Sequence, residues 1–459
     1  MSNVTRRHFL ETGTLAAGTL FASGCETTPR IVQTRATHVR KLGEKLNMGF
    51  VGVGGRGGAN FKEFFDGLEE QVVAICDVDM RPLNHLSERI KKKTGTAPRV
   101  YRDYREMLSK ESNLDAVVVS TPDHTHAPAA IAAMKQGCHV YVEKPLVRTI
   151  GECRRFAEVA KACGVITQMG NHGNGTDHQR RNIEVLQSGI LGDVSEIHVT
   201  TDRPIWPQGL DRPEGEDKIP DYLNWDLFIG TAPMRPHKAG VYHTFKWRGW
   251  FDFGTGAMGD IACHGMSFFF RGLDLREVLT VETIKSTPKF KETYPLATTV
   301  KIVAVSARQA TPVTIYWYDG NTLPDPEKLP AKILASYGKT PGGTIIIGKN
   351  GIFVNDAISL ASEEKFRGIL QHEATKNLPV TLPRVRSHHW EFAEAIRGGK
   401  RPFSDYDHSV PLTELVLLGC ISQQVSGELK WNAQRGHFTN SEAANKLLIP
   451  HIRPGFEIG

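Results

Sequence analysis

The chain has 459 residues, 40% hydrophobic and 23% charged, with a net charge of +6. That length holds two or three domains with real cores, and the composition excludes a disordered or fibrous protein. No basic run extends beyond Lys91–Lys93, and zinc-finger spacing, a helix-turn-helix signature and an aromatic platform are all missing, so nucleic acid is not an expected partner.

The first predicted element is an export signal. Thr5-Arg6-Arg7-His8-Phe9-Leu10 resembles the twin-arginine motif, and a mildly apolar segment, Leu15 to Ala22, follows it. Ala22-Ser23-Gly24-Cys25 is similar to a bacterial lipobox, with Cys25 as the lipidation site. Residues 1–25 are therefore expected to be a twin-arginine or lipoprotein-type signal, and polar residues 26–45 a linker. The expected location is the periplasm or cell envelope, with a lipid anchor at Cys25. The other six cysteines, Cys76, Cys138, Cys153, Cys163, Cys263 and Cys420, fall mostly in apolar runs without C-x-x-C pairing. Neither a metal site nor a disulfide framework is expected.

From Leu46 an apolar strand runs into Gly52-Val53-Gly54-Gly55-Arg56-Gly57, a G-x-G-x-x-G turn. Gly52 permits the tight turn, Gly54 the approach of a pyrophosphate, and Gly57 close packing of helix on strand. Gly55 and Arg56 lie within the same cofactor turn, and the helix that follows offers unpaired N–H groups to phosphates. A second strand, Gln71 to Cys76, ends on Asp77, twenty residues after Gly57. An acid there suits an adenosine ribose diol and favours NAD, although nearby Arg81 leaves NADP open. Asp77 could instead cap the next helix within Asp77-Val78-Asp79.

The alternation continues with a helix at 82–93, a strand at 100–101, a helix at 104–109, a strand at 116–120, a helix at 127–136 and a strand at 139–142. This order predicts a doubly wound parallel sheet, a Rossmann domain over 46–170, with ligand beyond the carboxyl ends of the strands. Two of those ends carry Thr121-Pro122-Asp123-His124-Thr125-His126 and Glu143-Lys144-Pro145. Beyond them, β-rich segments at 194–201, 300–305, 313–318 and 344–347 predict an α+β domain with a mostly antiparallel sheet over 171–435. Pro/Gly-rich loops are expected at 203–222 and 321–341, and a C-terminal tail over 436–459. The stretch Tyr242–Asp252 mixes aromatic, cationic and acidic residues, which suits a sugar ring. Trp247, Arg248 and Asp252 are the substrate candidates, and an oligomer contact is the competing reading.

These residues resemble the Gfo/Idh/MocA family, named for glucose–fructose oxidoreductase and inositol dehydrogenase. The glycine turn, the Thr121-Pro122 segment and Glu143-Lys144-Pro145 carry the likeness. So do Gly254-Thr255-Gly256-Ala257-Met258-Gly259-Asp260 leading to His264, and the segment from His389 to Lys400. Gln168-Met169-Gly170-Asn171-His172, Asn224-Trp225-Asp226-Leu227 and Trp247–Asp252 are similar to its exported subgroup. Many relatives carry a carboxylate three residues after the helix histidine; this chain has Ser267.

The resemblance implies a nicotinamide-dependent oxidoreductase of sugars or cyclitols, working as a homo-oligomer through its open sheet. It implies catalytic Lys144 and His264. Asp260, four residues before His264 on one helix face, would orient that histidine or bind substrate hydroxyls. Thr121, His124, His126, Glu143, Lys144 and Asn171 join the expected cofactor contacts. Export makes a tightly bound cofactor and redox-neutral chemistry attractive. The alternative activity is thus an NAD-dependent glycosidase or lyase working through a transient 3-keto sugar.

Overall fold

The computed structural model describes residues 40–330, 332–333 and 343–458. Arg6, Arg7, Cys25 and most of the expected linker lie outside them, as does part of the 321–341 loop. Among the described residues no helix is long and apolar enough to cross a membrane.

Strands β1 (Asn47–Val51), β2 (Gln71–Cys76), β3 (Arg99–Tyr101), β4 (Ala116–Val119), β5 (His139–Val142) and β6 (Thr167–Met169) form a parallel sheet in the order β3-β2-β1-β4-β5-β6. Side-chain alternation explains why both faces are covered. Met48, Phe50, Val118 and Tyr141 pack with Phe61, Phe64, Leu83 and Phe392, while Val51, Val117, Val119, Val140 and Val142 face the opposite cluster. Each such buried side chain contributes about 1.5–3 kcal/mol. The helices Arg56–Lys62, Met80–Thr94 and His388–Ile396 cover the first face; Tyr104–Lys110, His126–Lys135 and Ile150–Cys163 cover the second. Lys91, Lys92 and Lys93 are a solvated helix face, as their spacing suggests.

The second sheet is built from β7 (Val194–Thr200), β8 (Leu275–Ser286), β9 (Thr298–Ser306), β10 (Val313–Tyr318), β11 (Gly343–Gly348), β12 (Gly351–Val354), β13 (Ala357–Leu360), β14 (Arg367–Gly368), β15 (Leu429–Asn432) and β16 (His437–Phe438). Its order is β14-β13-β12-β11-β7-β10-β9-β8-β15-β16. Only β7 and β10 pair in parallel, so the sheet is mixed and mostly antiparallel, in line with the expected fold class. The sequence reading missed β8, whose long outer half is exposed. The helices Gly256–Gly265 and Tyr406–Ser422 lie between the sheets, and the main apolar cluster runs through them without a break. That continuity fixes Asp260 and His264 against the strand ends of the Rossmann sheet.

Candidate active site

A cleft of about 820 Å³ opens at the carboxyl ends of β1 to β5. Its lining includes Gly52, Gly54, Gly55, Arg56, Asp77, Thr121, Glu143, Lys144, Trp247 and Arg248. Gly52 has φ +80°, and a Cβ there would stand 2.7 Å from the Ser120 carbonyl carbon. At Gly57 it would overlap the Gly52 carbonyl. Among the described residues the nearest atom to such a Cβ at Gly54 is 3.7 Å away on Pro82, and at Gly55 there is nothing within 4 Å. Gly55 caps the helix Arg56–Lys62 without a side-chain bond. The turn is thus tight where it meets its own fold and open where a pyrophosphate would approach.

Asp77 holds this turn in place. Its Oδ2 accepts from the Val53 N–H (2.8 Å) and the Gly54 N–H (3.3 Å), and its Oδ1 from the Asp79 N–H (3.0 Å). Burial pushes its carboxyl above the ordinary value, against the pull of those three amides. Helix capping falls instead to Asp79, which accepts from the Arg81 N–H (2.9 Å) and pairs with its guanidinium (2.6 Å). Arg81 also lies over the Tyr222 ring at 3.8 Å. Its charge is therefore already matched, which weakens the case for a 2′-phosphate.

At the other end of the cleft, Glu143 and Lys144 diverge as neighbours leaving a strand should. The Glu143 carboxylate accepts from Arg56 Nε (3.0 Å) and Asn60 Nδ2 (2.9 Å), with His172 at 3.5 Å. Burial opposes its charge, yet His172, Arg56 and Asn60 hold the carboxyl far below its ordinary range. Lys144, before a cis Pro145, turns the other way. Its Nζ donates to both the backbone oxygen and Oδ1 of Asp260, each at 2.8 Å. Arg248 Nε donates to the same Oδ1 at 3.0 Å, and its guanidinium sits over Trp247 at 4.3 Å and Phe245 at 4.5 Å. Burial works against Asp260 ionisation, but Lys144 and Arg248 outweigh it and the carboxyl lies below its usual value.

The Asp260 carboxylate is therefore committed to two cations rather than to orienting His264. His264 has an exposed side chain one turn further along, and it is not among the residues lining the cleft itself. Although the side chain is exposed, desolvation by the surrounding protein, and then the Lys144 ammonium, lower its pKa from the ordinary imidazole value.

Several expected contacts take other roles. His124 is fully buried, with Nε2 2.9 Å from the Phe228 carbonyl and Nδ1 3.3 Å from that of Phe253; it presents neither nitrogen to a ligand. His126 touches the cleft, yet both nitrogens face backbone carbonyls at 2.8 Å, those of Pro145 and Thr121, and so tie the β4 loop to the β5 loop. Asn171 is buried behind the cleft and donates to Ser267 Oγ (3.1 Å). Ser267 in turn bonds Asn174 and His408, so the position that differs from many relatives serves a buried network. Asp252 pairs with buried Arg235, which draws it out of the substrate group. Asp123, quoted in the motif but given no role, is buried on the cleft wall and accepts from the Thr255 hydroxyl (2.7 Å). Burial pushes its carboxyl up to about 7. Phe456 also lines the cleft, and nothing in the local sequence signals that.

The fold and cleft define a Rossmann-type dinucleotide-binding protein whose second domain brings side chains to the cofactor site. Residues 46–171 match the oxidoreductase family with an NAD-binding Rossmann fold, and residues 183–284 match that family's C-terminal alpha/beta domain. The chain is similar to the Gfo/Idh/MocA oxidoreductases in both of their domains. Among curated proteins it is 31% identical over 209 residues to glycosyl hydrolase family 109 protein 1 of Shewanella sp. (strain ANA-3), covering 42% of this chain and 45% of that protein. It is 30% identical over 209 residues to an alpha-N-acetylgalactosaminidase of Shewanella oneidensis, with the same shares. The chain thus spans a little under half the length of these relatives. Similar solved structures include the WlbA dehydrogenase from Bordetella pertussis in complex with NADH and UDP-GlcNAcA (TM-score 0.57, 16% identity, 85% of this chain and 98% of that one). An inositol dehydrogenase homolog complexed with NAD+ from Azotobacter vinelandii aligns equally well (TM-score 0.57, 16% identity, 86% and 100%). At that identity the likeness is one of fold.

Proposed function

We propose that this protein oxidises or reduces a ring carbinol of a sugar or cyclitol and keeps its nicotinamide cofactor bound through turnover. The observation that carries the reading is the Lys144–Asp260–Arg248 cluster, set at the strand ends with His264 one turn beyond. NAD bound along the glycine turn supplies the hydride acceptor or donor. Lys144, held by Asp260, presents an ammonium that stabilises charge developing on the reacting oxygen. His264, neutral at pH 7, takes the hydroxyl proton in oxidation and returns it in reduction. Asp260 positions Lys144, a role its two bonds to that residue support. Trp247 and Phe245, braced by Arg248, offer apolar faces to the C–H side of a sugar ring.

The curated relatives support a second reading, because both are glycosidases by name. In that reading oxidation at C3 would acidify the C2–H, and loss of that proton and of the glycosidic group would leave an unsaturated 3-keto sugar. Water would add across C1 and C2, and return of the hydride to C3 would complete a redox-neutral hydrolysis. The same residues serve the two redox steps. Both readings expect stoichiometric nicotinamide in freshly purified protein by mass spectrometry, and protein that needs added millimolar NAD would contradict a retained cofactor. Product analysis separates them: a glycosidic bond cleaved with no net oxidation favours the redox-neutral cycle, and a keto or reduced sugar with its glycosidic bond intact favours the dehydrogenase.

The N-terminal motif supports export to the envelope, with a lipid at Cys25. Replacing Arg6 and Arg7 with Lys should hold the protein in the cytoplasm in cell fractionation, and Cys25→Ser should lose label from a palmitate analogue. The open face of the ten-stranded sheet is the surface for a homo-oligomer; sedimentation of the purified chain tests it, and a monomer at all concentrations removes it.

A further inference from the structure

Among the described residues the lining of the cleft is drawn from Val51 to Arg248 with one exception, Phe456, which arrives from the far end of the chain. It joins the wall formed by Arg102, Asp103 and Tyr104 just past β3, facing the end of β2 that carries Asp77 and Asp79. In a doubly wound sheet this is the adenosine half of a dinucleotide site, at the opposite end from Lys144. We propose that residues Arg453–Phe456 form a strap that completes the adenine pocket, with the Phe456 ring as its apolar wall, and thereby slows cofactor release. The inference rests on the dinucleotide reading above and adds to it the segment that retains the ligand.

The strap is anchored at several points. The Gly151 N–H donates to the Leu448 carbonyl (3.0 Å), and Ile449 closes on Gly151. The Arg453 N–H donates to the Thr231 carbonyl (3.1 Å), its Nε to the Gly230 carbonyl (2.9 Å) and its guanidinium to the Asp226 carbonyl (2.8 Å). Gly455, at φ +86°, turns the chain back, and its carbonyl accepts from Arg105 (2.6 Å). Phe456 is left with only 6% of its surface exposed, between the Arg105 guanidinium at 4.4 Å and that of Arg453 at 4.6 Å. Arg105 is paired with Asp103, and Arg453 with Asp226, so neither cation is spare for a phosphate. With guanidinium groups over the ring, what the strap adds to the cleft is a small apolar edge, and the π-face of a purine is the part of the cofactor that packs against an aromatic edge.

The strap bridges a helix start in the first domain and a loop in the second. Loosening it should act on adenine binding and on release of the whole cofactor, without altering the nicotinamide end. Titration of the full-length protein, stripped of endogenous nucleotide, with AMP and with nicotinamide mononucleotide separates the two halves. Exchange of bound NAD against isotope-labelled NAD measures release. In Phe456→Ala, AMP should bind roughly tenfold more weakly and NAD exchange should quicken by a similar factor, while nicotinamide mononucleotide is unaffected. Arg453→Ala, which frees the strap but keeps the ring, should quicken exchange by a smaller factor. It also decides the matter should thermal melting show Phe456→Ala to be misfolded. Unchanged AMP affinity and unchanged exchange, or an equal loss for both mononucleotides, would overturn the strap. Absence of NAD and AMP binding in the unmodified protein would overturn the cofactor reading beneath it.

Discussion

On the Rossmann side the cofactor end of the cleft is shaped by backbone. The turn from Gly52 to Gly57 admits no Cβ at its crowded positions, and Asp77 spends its carboxylate on the turn's own amides. On the side of the second domain the cleft is shaped by side chains, with Trp247, Phe245 and Arg248 stacked and Asp260 fixed between Arg248 and Lys144. A backbone wall tolerates almost no substitution and is indifferent to what chemistry is done beside it. A side-chain wall can be altered residue by residue, and the proposed function places specificity and catalysis there. The sharpest way to separate the two walls is to damage each and read binding and turnover apart.

The largest effect is expected on the side-chain wall. Lys144→Ala should lower turnover by about 10²–10⁴, some 3–5 kcal/mol of barrier, while NAD affinity measured by calorimetry stays within a few-fold. A comparable loss in both quantities would mean that Lys144 belongs to the binding wall. The backbone wall should respond in the opposite way. Gly57→Val drives a side chain into the Gly52 carbonyl and should weaken NAD binding roughly 100-fold, about 3 kcal/mol, in the same titration.

Asp123 lies where the walls meet, through its bond to Thr255. Its folded-state pKa is raised, to about 7, so its contribution to stability is complete below the unfolded value near 4 and is lost as pH climbs towards 7. Asp123→Asn should therefore gain on the unmodified protein across that window, by on the order of 4 kcal/mol at neutral pH. Denaturant melts at pH 4 and pH 7.5 check this, and a constant difference would show that the buried carboxyl carries its charge without penalty. The smallest effect concerns selectivity. Asp79→Ala releases Arg81 and should improve NADP binding several-fold relative to NAD, whereas Asp77→Ala should loosen the glycine turn and narrow the gap mainly by weakening NAD.

The same contrast explains what could be read in the sequence. The backbone wall was legible because its demands are local: glycines at fixed spacing, short strands buried on both faces, and an acid at the end of β2. The helix carrying Asp260 and His264, and the divergence of Lys144 from Glu143, follow from periodicity in the same way. Partners that come from far along the chain leave no such trace. Asp252 reads as a free carboxylate until Arg235 folds beside it, and Asp260 reads as the partner of His264 until Lys144 and Arg248 claim its oxygen. His124 and His126 look equivalent in the motif; the fold buries both, and only His126 is placed on the cleft wall. β8 escaped because its outer half lacks apolar alternation, and Phe456 because its neighbours are Arg105 and the adenosine end of the cleft, reached only through the fold.

The central claim is that Lys144 and His264 act on one proton and one oxygen at the hydride-transfer end of the cleft. The direct measurement is single-turnover reduction of bound NAD, followed at about 340 nm, for the unmodified protein, Lys144→Ala, His264→Ala and the double variant on the best ring carbinol in a sugar panel. Both single variants should be slowed by about 10²–10⁴, and the double should be little slower than the worse single, because two groups serving one step are not additive. The unmodified rate should rise with pH through about 4 and level off above it, in keeping with the lowered His264 pKa, and that limb should vanish in His264→Ala. Near-normal hydride transfer in both single variants, or penalties that simply multiply in the double, would contradict the shared site.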